Sequence, residues 1–256
     1  MPIPDPGRPA YEFGRNKPQA KQRIQASGLD SADFLVIAQG QEFTDQDISL
    51  NYPLFIKPTN RGGGLGIDSQ SVVHNFEQLK AKVITITGQF KGDALIEQYL
   101  AGREFSVAIL KDYETHEYHV LPLELIAPED ECGNRILSGK VKRLNVESAN
   151  TIKDAKLKDL ISNFALSCFH SLSARDFGRI DIRLSRSGNP SFLEANLIPS
   201  LISGYGSFPK ACVLNIGLEH DDMIMNIVKL GLSRSEEKSE IPLTAWNSSA
   251  IHFSLN

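Results

Sequence analysis

Residues 178–196, GRIDIRLSRSGNPSFLEAN, constrain the fold more than any other stretch of the chain. Two strand-like runs, Arg179 to Leu184 and Ser191 to Ala195, flank the turn residues SRSGNP and read as a hairpin. Alternate side chains of a strand share a face, so Arg179, Asp181 and Arg183 point one way and Ile180, Ile182 and Leu184 the other. Phe192, Glu194 and Asn196 share a face of the second strand by the same rule. A turn centred between Ser187 and Gly188 then sets Asp181 opposite Glu194 and Arg179 opposite Asn196. Two carboxylates so placed repel and rise in pKa unless a cation lies between them. A divalent ion can supply that charge, and so can Arg179 and Arg183 as an ion-pair network. Oxygen ligands without His or Cys favour Mg2+ or Mn2+ over zinc, and three protein oxygens leave room for substrate phosphates.

A second segment bears on the same chemistry. In FIKPTNRGGGLGI, Lys57 ends a compact apolar run and Gly62, Gly63, Gly64 and Gly66 follow. Glycines permit positive φ and carry no side chain, so successive N–H groups can converge on one anion. The run lacks both the GK[ST] ending of a P-loop and the GxGxxG order of a dinucleotide site. It reads either as a phosphate loop, with Lys57 neutralising charge beside it, or as an ordinary turn. Joined to the acidic hairpin, it points to phosphoryl chemistry, in which a metal shields phosphate oxygens.

The remaining pattern mixes strands and helices in an α+β arrangement. A short helix is expected over Asn16 to Ser27, stopped by Gly28, and a strand over Pro53 to Lys57. Asn75 and Gln78 suggest a capping box. ALIEQYL and EFSVAIL are strand candidates, Asp154 to Leu172 is the clearest amphipathic helix, and a last helix is expected from about Asp221 to Leu232. Residues 1–15 are rich in Pro and read as a flexible lead-in; residues 233–256 read as a polar tail. The three cysteines, Cys132, Cys168 and Cys212, lack metal or redox spacing and are expected to be buried. A net charge of −4 gives no general attraction to nucleic acid or anionic membrane. The absence of a long apolar run or a secretory leader is what a soluble, cytoplasmic protein would show.

Taken in order, PLFIKPTNRGGGLGI, LIEQYLAGREFSVAIL, FGRIDIRL and FLEANLIPSL resemble the ATP-grasp ligases, and within them the D-alanine:D-alanine ligase branch. The resemblance runs from about Asn16 to Leu232. It implies two α+β subdomains, 16–97 and 98–232, clamping ATP between antiparallel sheets, with the glycine loop as a flap. Carried residue by residue, it puts Lys17 and Lys57 on the ATP phosphates, Glu97, Gln98 and Leu100 along the adenine edge, and Glu104 on the ribose. It puts Asp181, Glu194 and Asn196 on magnesium and Arg179 on the transferring phosphoryl group. Lys142, with Lys140 as rival, becomes a further phosphate lysine. The implied reaction activates a carboxylate as an acyl phosphate, which an amine then attacks. The implied partners are ATP, Mg2+ or Mn2+ and small amino-acid-like substrates, with neither nucleic acid nor membrane.

The sequence also departs from that branch. Only sixteen residues precede Lys17, where an N-terminal domain is usual, so a homodimer or a partner chain supplying it is one expectation. Gly63 and Gly64 stand where serines are typical, Ser200 stands where a glycine is expected, and ISGYGSFP differs from the stretch that reads the second substrate's carboxylate. The nucleotide half therefore matches more closely than the D-alanine half. Besides an amino-acid ligase, a non-catalytic ATP-binding protein and a ligase for a peptide or protein acceptor fit the same residues.

Overall fold

The computed structural model describes residues 8–239. Two antiparallel sheets carry the architecture. The smaller has the order β1-β4-β2-β3, from β1 (Phe34–Ile37), β2 (Leu54–Pro58), β3 (Val72–Val73) and β4 (Ala94–Gln98). The larger has the order β7-β6-β5-β8-β9, from β5 (Glu104–Lys111), β6 (Tyr118–Ile126), β7 (Ser148–Thr151), β8 (Phe177–Leu184) and β9 (Pro190–Asn196). The connection Tyr99–Arg103 joins the sheets, so whatever lies between them borders this stretch.

Each sheet buries its apolar side chains against helices. Leu79, Val83 and Ile86 of α3 (Phe76–Phe90) pack on Leu54, Ile56 and Ile96, removing fully buried aliphatic side chains from water at about 1.5–3 kcal/mol each. Asn75 caps α3 by accepting from the Gln78 N–H at 3.0 Å, while the Gln78 side chain accepts from His74 rather than Asn75. The capping box is therefore displaced by one residue. On one face of the larger sheet, Ile161, Ala165 and Phe169 of α5 (Ala155–Ser171) meet Phe105, Val107, Ile180 and Ile182. Asp154 caps this helix through the Leu157 N–H. On the other face, Phe208 of α6 (Ser207–Ile216) and Met223 of α7 (His220–Ser239) meet Leu110, Leu121 and Phe177.

Several expectations change. Residues 8–15 form helix α1 (Arg8–Arg15), and Ala10 and Phe13 join the core beneath the larger sheet, so apolar burial orders what composition alone suggested was a lead-in. Helix α2 (Lys17–Ala26), placed by resemblance with the smaller sheet, instead buries Ala20 and Ile24 in that same core. Asn16 caps α2, and Gly28, at φ +75°, follows its end. Helix α7 runs to Ser239, past the expected stop at Leu232. Residues 1–7 of the expected lead-in and 240–256 of the expected tail lie outside the described residues. Cys168 and Cys212 are buried, with thiol pKa values pushed up to about 12 by that burial, whereas Cys132 is exposed in the turn Asp130–Asn134. No helix among the described residues is long and apolar enough to cross a membrane.

Candidate active site

The hairpin of β8 and β9 brings the two acids together, by a route the alternation rule misses. Near the turn the register pairs Leu184 with Pro190, Arg183 with Ser191 and Ile182 with Phe192. Continued unbroken, it would place Leu193 opposite Asp181 and turn Glu194 to the core face with Phe192. An irregularity between Asp181 and Ile182 adds one residue to β9, and beyond it Asp181 pairs with Glu194 and Arg179 with Asn196. The expected pairing holds at the site, but Phe192 does not share the acidic face. It is buried among Ile180, Ile182 and Phe105.

The charges around the acids come from protein cations. Arg179 donates to both oxygens of Asp181, at 2.9 and 2.8 Å. Ser106 donates to Asp181 Oδ1 at 2.8 Å, and Asn196 Nδ2 to Oδ2 at 3.1 Å. Lys17 Nζ lies 3.6 Å from Glu194 and donates to the Arg61 carbonyl, tying β9 to the glycine loop. Burial alone would raise the Glu194 carboxyl. Lys17, Lys142, Lys57 and Arg179 together outweigh burial and hold it well below the usual carboxylate range. Arg183, expected beside these acids, turns instead to Glu104 at 3.5 Å and to the carbonyls of Gly102 and Arg135.

A buried triad of charges that sequence reasoning missed supports the opposite wall. Glu97 accepts Lys21 at 2.6 Å and Lys57 at 2.7 Å, and all three side chains are at most 5% exposed. Burial would raise the Glu97 carboxyl, but the two ammonium groups pull it below its ordinary value. Lys21 also donates to Ser31 Oγ and to the Phe192 carbonyl, so it links α2 and both sheets. Its signal was available, because Lys21 lies four residues after Lys17 and so on the same face of α2. Both oxygens of the Glu97 carboxylate are thus engaged by lysines.

Part of this set lines one cleft between the sheets. Lys57, Glu97, Gln98 and Leu100 border it from the smaller sheet and its connection, and Glu104, Lys142, Asp181 and Glu194 from the other side. Phe55 stacks on Tyr99 with ring centroids 6.4 Å apart, and the Arg183 guanidinium lies 5.4 Å from the centroid of Tyr99. An apolar, aromatic end and a charged end are what a nucleotide requires. Burial raises the Glu104 carboxyl, with Arg183 and Lys142 opposing. Lys140 is exposed and borders a different hollow, so of the two rivals only Lys142 faces the cleft.

The glycine loop lies beside the charged groups. Gly62 neighbours Lys17, Glu194 and Asn196, and Gly62 and Gly63 border a further cavity beside Arg179. Gly64 does not join them. Its φ is +75°, and a Cβ there would lie 2.7 Å from the Gly139 nitrogen, at the start of α4 (Gly139–Leu144). Gly64 thus seats the loop on α4, the helix that carries Lys142.

Among the described residues, no group of three His, Cys, Asp or Glu side chains is placed to hold a metal. The expected set is two carboxylates and an amide, an all-oxygen set suited to a hard divalent cation. Glu194 is held ionised, and Asn196 spends its Nδ2 rather than its oxygen on Asp181, which leaves donors consistent with such an ion.

Comparison with known proteins gives a consistent result. Residues 24–229 match the family described as D-ala D-ala ligase C-terminus. The protein y4sG of Sinorhizobium fredii, itself uncharacterised, is 31% identical over 186 residues, covering 71% of this chain and 52% of that one. The D-alanine–D-alanine ligase of Actinobacillus pleuropneumoniae serotype 5b is 27% identical over 220 residues, covering 84% of this chain and 67% of the ligase. In fold, the chain is similar to the Bacillus anthracis D-alanine–D-alanine ligase complexed with ATP, with a TM-score of 0.70 at 18% identity, over 90% of this chain and 69% of that one. The chain thus spans about half to two thirds of the length of these relatives.

Proposed function

The chain belongs to the family of the D-Ala–D-Ala ligase C-terminus, and from that premise we propose that it is an ATP-dependent ligase joining a carboxylate to an amine through an acyl phosphate. The observation that carries this reading is the convergence of Lys57, Glu104, Lys142, Asp181 and Glu194 on one cleft with an aromatic end. Phe55, Tyr99 and Leu100 are suited to an adenine, Glu104 to ribose hydroxyls, and Lys17, Lys57 and Lys142 to phosphates.

Asp181, Glu194 and Asn196 would hold a magnesium ion, which when bound shields phosphate oxygens and polarises the phosphoryl group. The chain's own residues do the rest. Arg179, fixed by Asp181 in a bidentate pair, presents a guanidinium at the edge of the transfer point. There it meets negative charge growing in the transition state and orients the donor carboxylate for attack. The glycine loop, seated on α4, covers the phosphates and excludes water that would hydrolyse the acyl phosphate. An amine then attacks the carbonyl, the C–N bond forms, and phosphate departs.

ADP release measured over a panel of amino acids, hydroxy acids and dipeptides, with product masses recorded, tests the reading. Nucleotide binding without ADP release for any carboxylate and amine pair would favour a binding protein instead.

A further inference from the structure

Resting on the ligase reading, we infer that Lys21 is a positioning residue for phosphate binding: by occupying one oxygen of Glu97, it keeps that carboxylate from capturing and neutralising Lys57. Lys21 does not meet a phosphate itself. Its side chain is 0% exposed and does not border the nucleotide cleft, whereas Lys57 and Glu97 both do. An ammonium has three donors, and those of Lys21 are met by Glu97 at 2.6 Å, Ser31 Oγ at 3.0 Å and the Phe192 carbonyl at 3.1 Å. Whatever Lys21 contributes to the cleft therefore passes through Glu97.

The balance of charge shows what passes. Two ammonium groups against one carboxylate leave the triad with a surplus positive charge. Glu97 gives Oε1 to Lys21 and Oε2 to Lys57, so Lys57 uses one donor on it and keeps the others for a phosphate. Without Lys21, both oxygens are free to turn to Lys57. The pair that remains is neutral, and a triphosphate is then repelled by Glu97 while it is attracted by Lys57. Little water screens these charges, so the loss counts for more than it would at a surface.

The other bonds of Lys21 hold it back from the cleft. Ser31 precedes β1 and Phe192 lies on β9, so the ammonium is anchored on segments remote from the helix that carries it. Ser31 Oγ donates in turn to the same Phe192 carbonyl at 3.2 Å, and Lys21 Nζ lies 5.8 Å from the centroid of the Phe192 ring. A neutral donor at position 21 can satisfy the hydroxyl and the carbonyl but cannot hold the charge of Glu97. Packing and charge are thus separable by substitution.

Calorimetry on the full chain at a fixed magnesium concentration, with AMP-PNP and AMP as probes, distinguishes this role from a merely structural one. AMP reads the aromatic end and the ribose, and the ratio of AMP-PNP to AMP affinity reads the added phosphates. Lys21→Met should lower that ratio at least about tenfold, while AMP affinity changes by less than about threefold. Adding Glu97→Gln to Lys21→Met should return the ratio to within about threefold of the native value, because nothing then neutralises Lys57. A ratio unchanged by Lys21→Met, or no recovery in the double variant, overturns the inference. If a thermal melt shows that Lys21→Met does not fold, Lys21→Gln replaces it under the same expectations, since it keeps donors for Ser31 and Phe192 without the charge. A native chain that binds neither probe sinks the ligase reading and the role of Lys21 with it; nucleotide binding with a ratio that Lys21 does not move sinks only the role of Lys21.

Discussion

Asp181 and Glu194 stand opposite each other across β8 and β9 only because β9 carries one extra residue between them and the turn. The extra residue switches the parity of the strand. Phe192 goes into the core, Glu194 comes to the cleft, and Leu193 is added to the cleft wall. Arg179 then neutralises the first acid, and a group of cations dominated by Lys17 the second.

Replacing both acids by their amides, Asp181→Asn with Glu194→Gln, should reduce ATP affinity in magnesium to the level seen with EDTA. Calorimetry with and without metal checks this. A magnesium dependence that survives in the double variant would remove these side chains from the metal site.

Glu97→Gln leaves Lys21 and Lys57 buried without a counter-charge, and should cost on the order of 3–5 kcal/mol of stability. The sign of the pH effect follows from the lowered carboxyl. A carboxylate depressed in the folded state contributes stability that is present above its ordinary pKa and lost as pH falls through the folded value. Denaturant titrations should therefore show native stability declining in the acid range below that ordinary value. The same window should be flatter for Glu97→Gln, and an equal slope in both proteins would contradict the triad.

How much of this was legible beforehand depended on distance along the chain. Asn75, Asp154 and Gly28 marked helix ends correctly because capping is local. The pairing of Asp181 with Glu194 was legible, since one short turn joins their strands, although the extra residue in β9 was not. Lys21 escaped because its partner Glu97 is remote in sequence, and a buried lysine cannot be told from a surface one without that partner. Helix α1 escaped for a similar reason: its apolar side chains are ordered by a core built from β5, β8 and α5.

Gly64→Val should weaken ATP affinity while leaving a cooperative unfolding transition. The added side chain meets the Gly139 backbone, and φ of +75° is strained for valine, a penalty of about 1–3 kcal/mol. Because Gly64 sits on α4 rather than in the cleft, the loss should come through displacement of the loop. Fluorescence titration with a labelled ATP analogue and a thermal melt together check both halves; normal affinity would detach the loop from phosphate binding.

Lys142→Ala should lower ATP affinity about tenfold or more, the worth of a charge-assisted hydrogen bond. Lys140→Ala should change it little, since that side chain is exposed and turned from the cleft. Equal losses in the two variants would return the phosphate role to an undivided basic helix.

Glu104 supplies a second pH effect, on binding. Burial raises its carboxyl, so it becomes protonated at a higher pH than an unperturbed glutamate and would then accept ribose hydroxyls less well. ATP affinity should fall on mild acidification, and Glu104→Gln should be weaker throughout but flat over the same interval. An unchanged slope in that variant would assign the titration to another group.

The most direct test of acyl-phosphate chemistry follows oxygen. The chain is incubated with magnesium, ATP, a panel of amines and carboxylates labelled with heavy oxygen, and the released phosphate is analysed by mass. A ligase working through an acyl phosphate transfers one labelled oxygen from the carboxylate to each phosphate; phosphate released without label, or no phosphate under conditions where ATP binds, would contradict it.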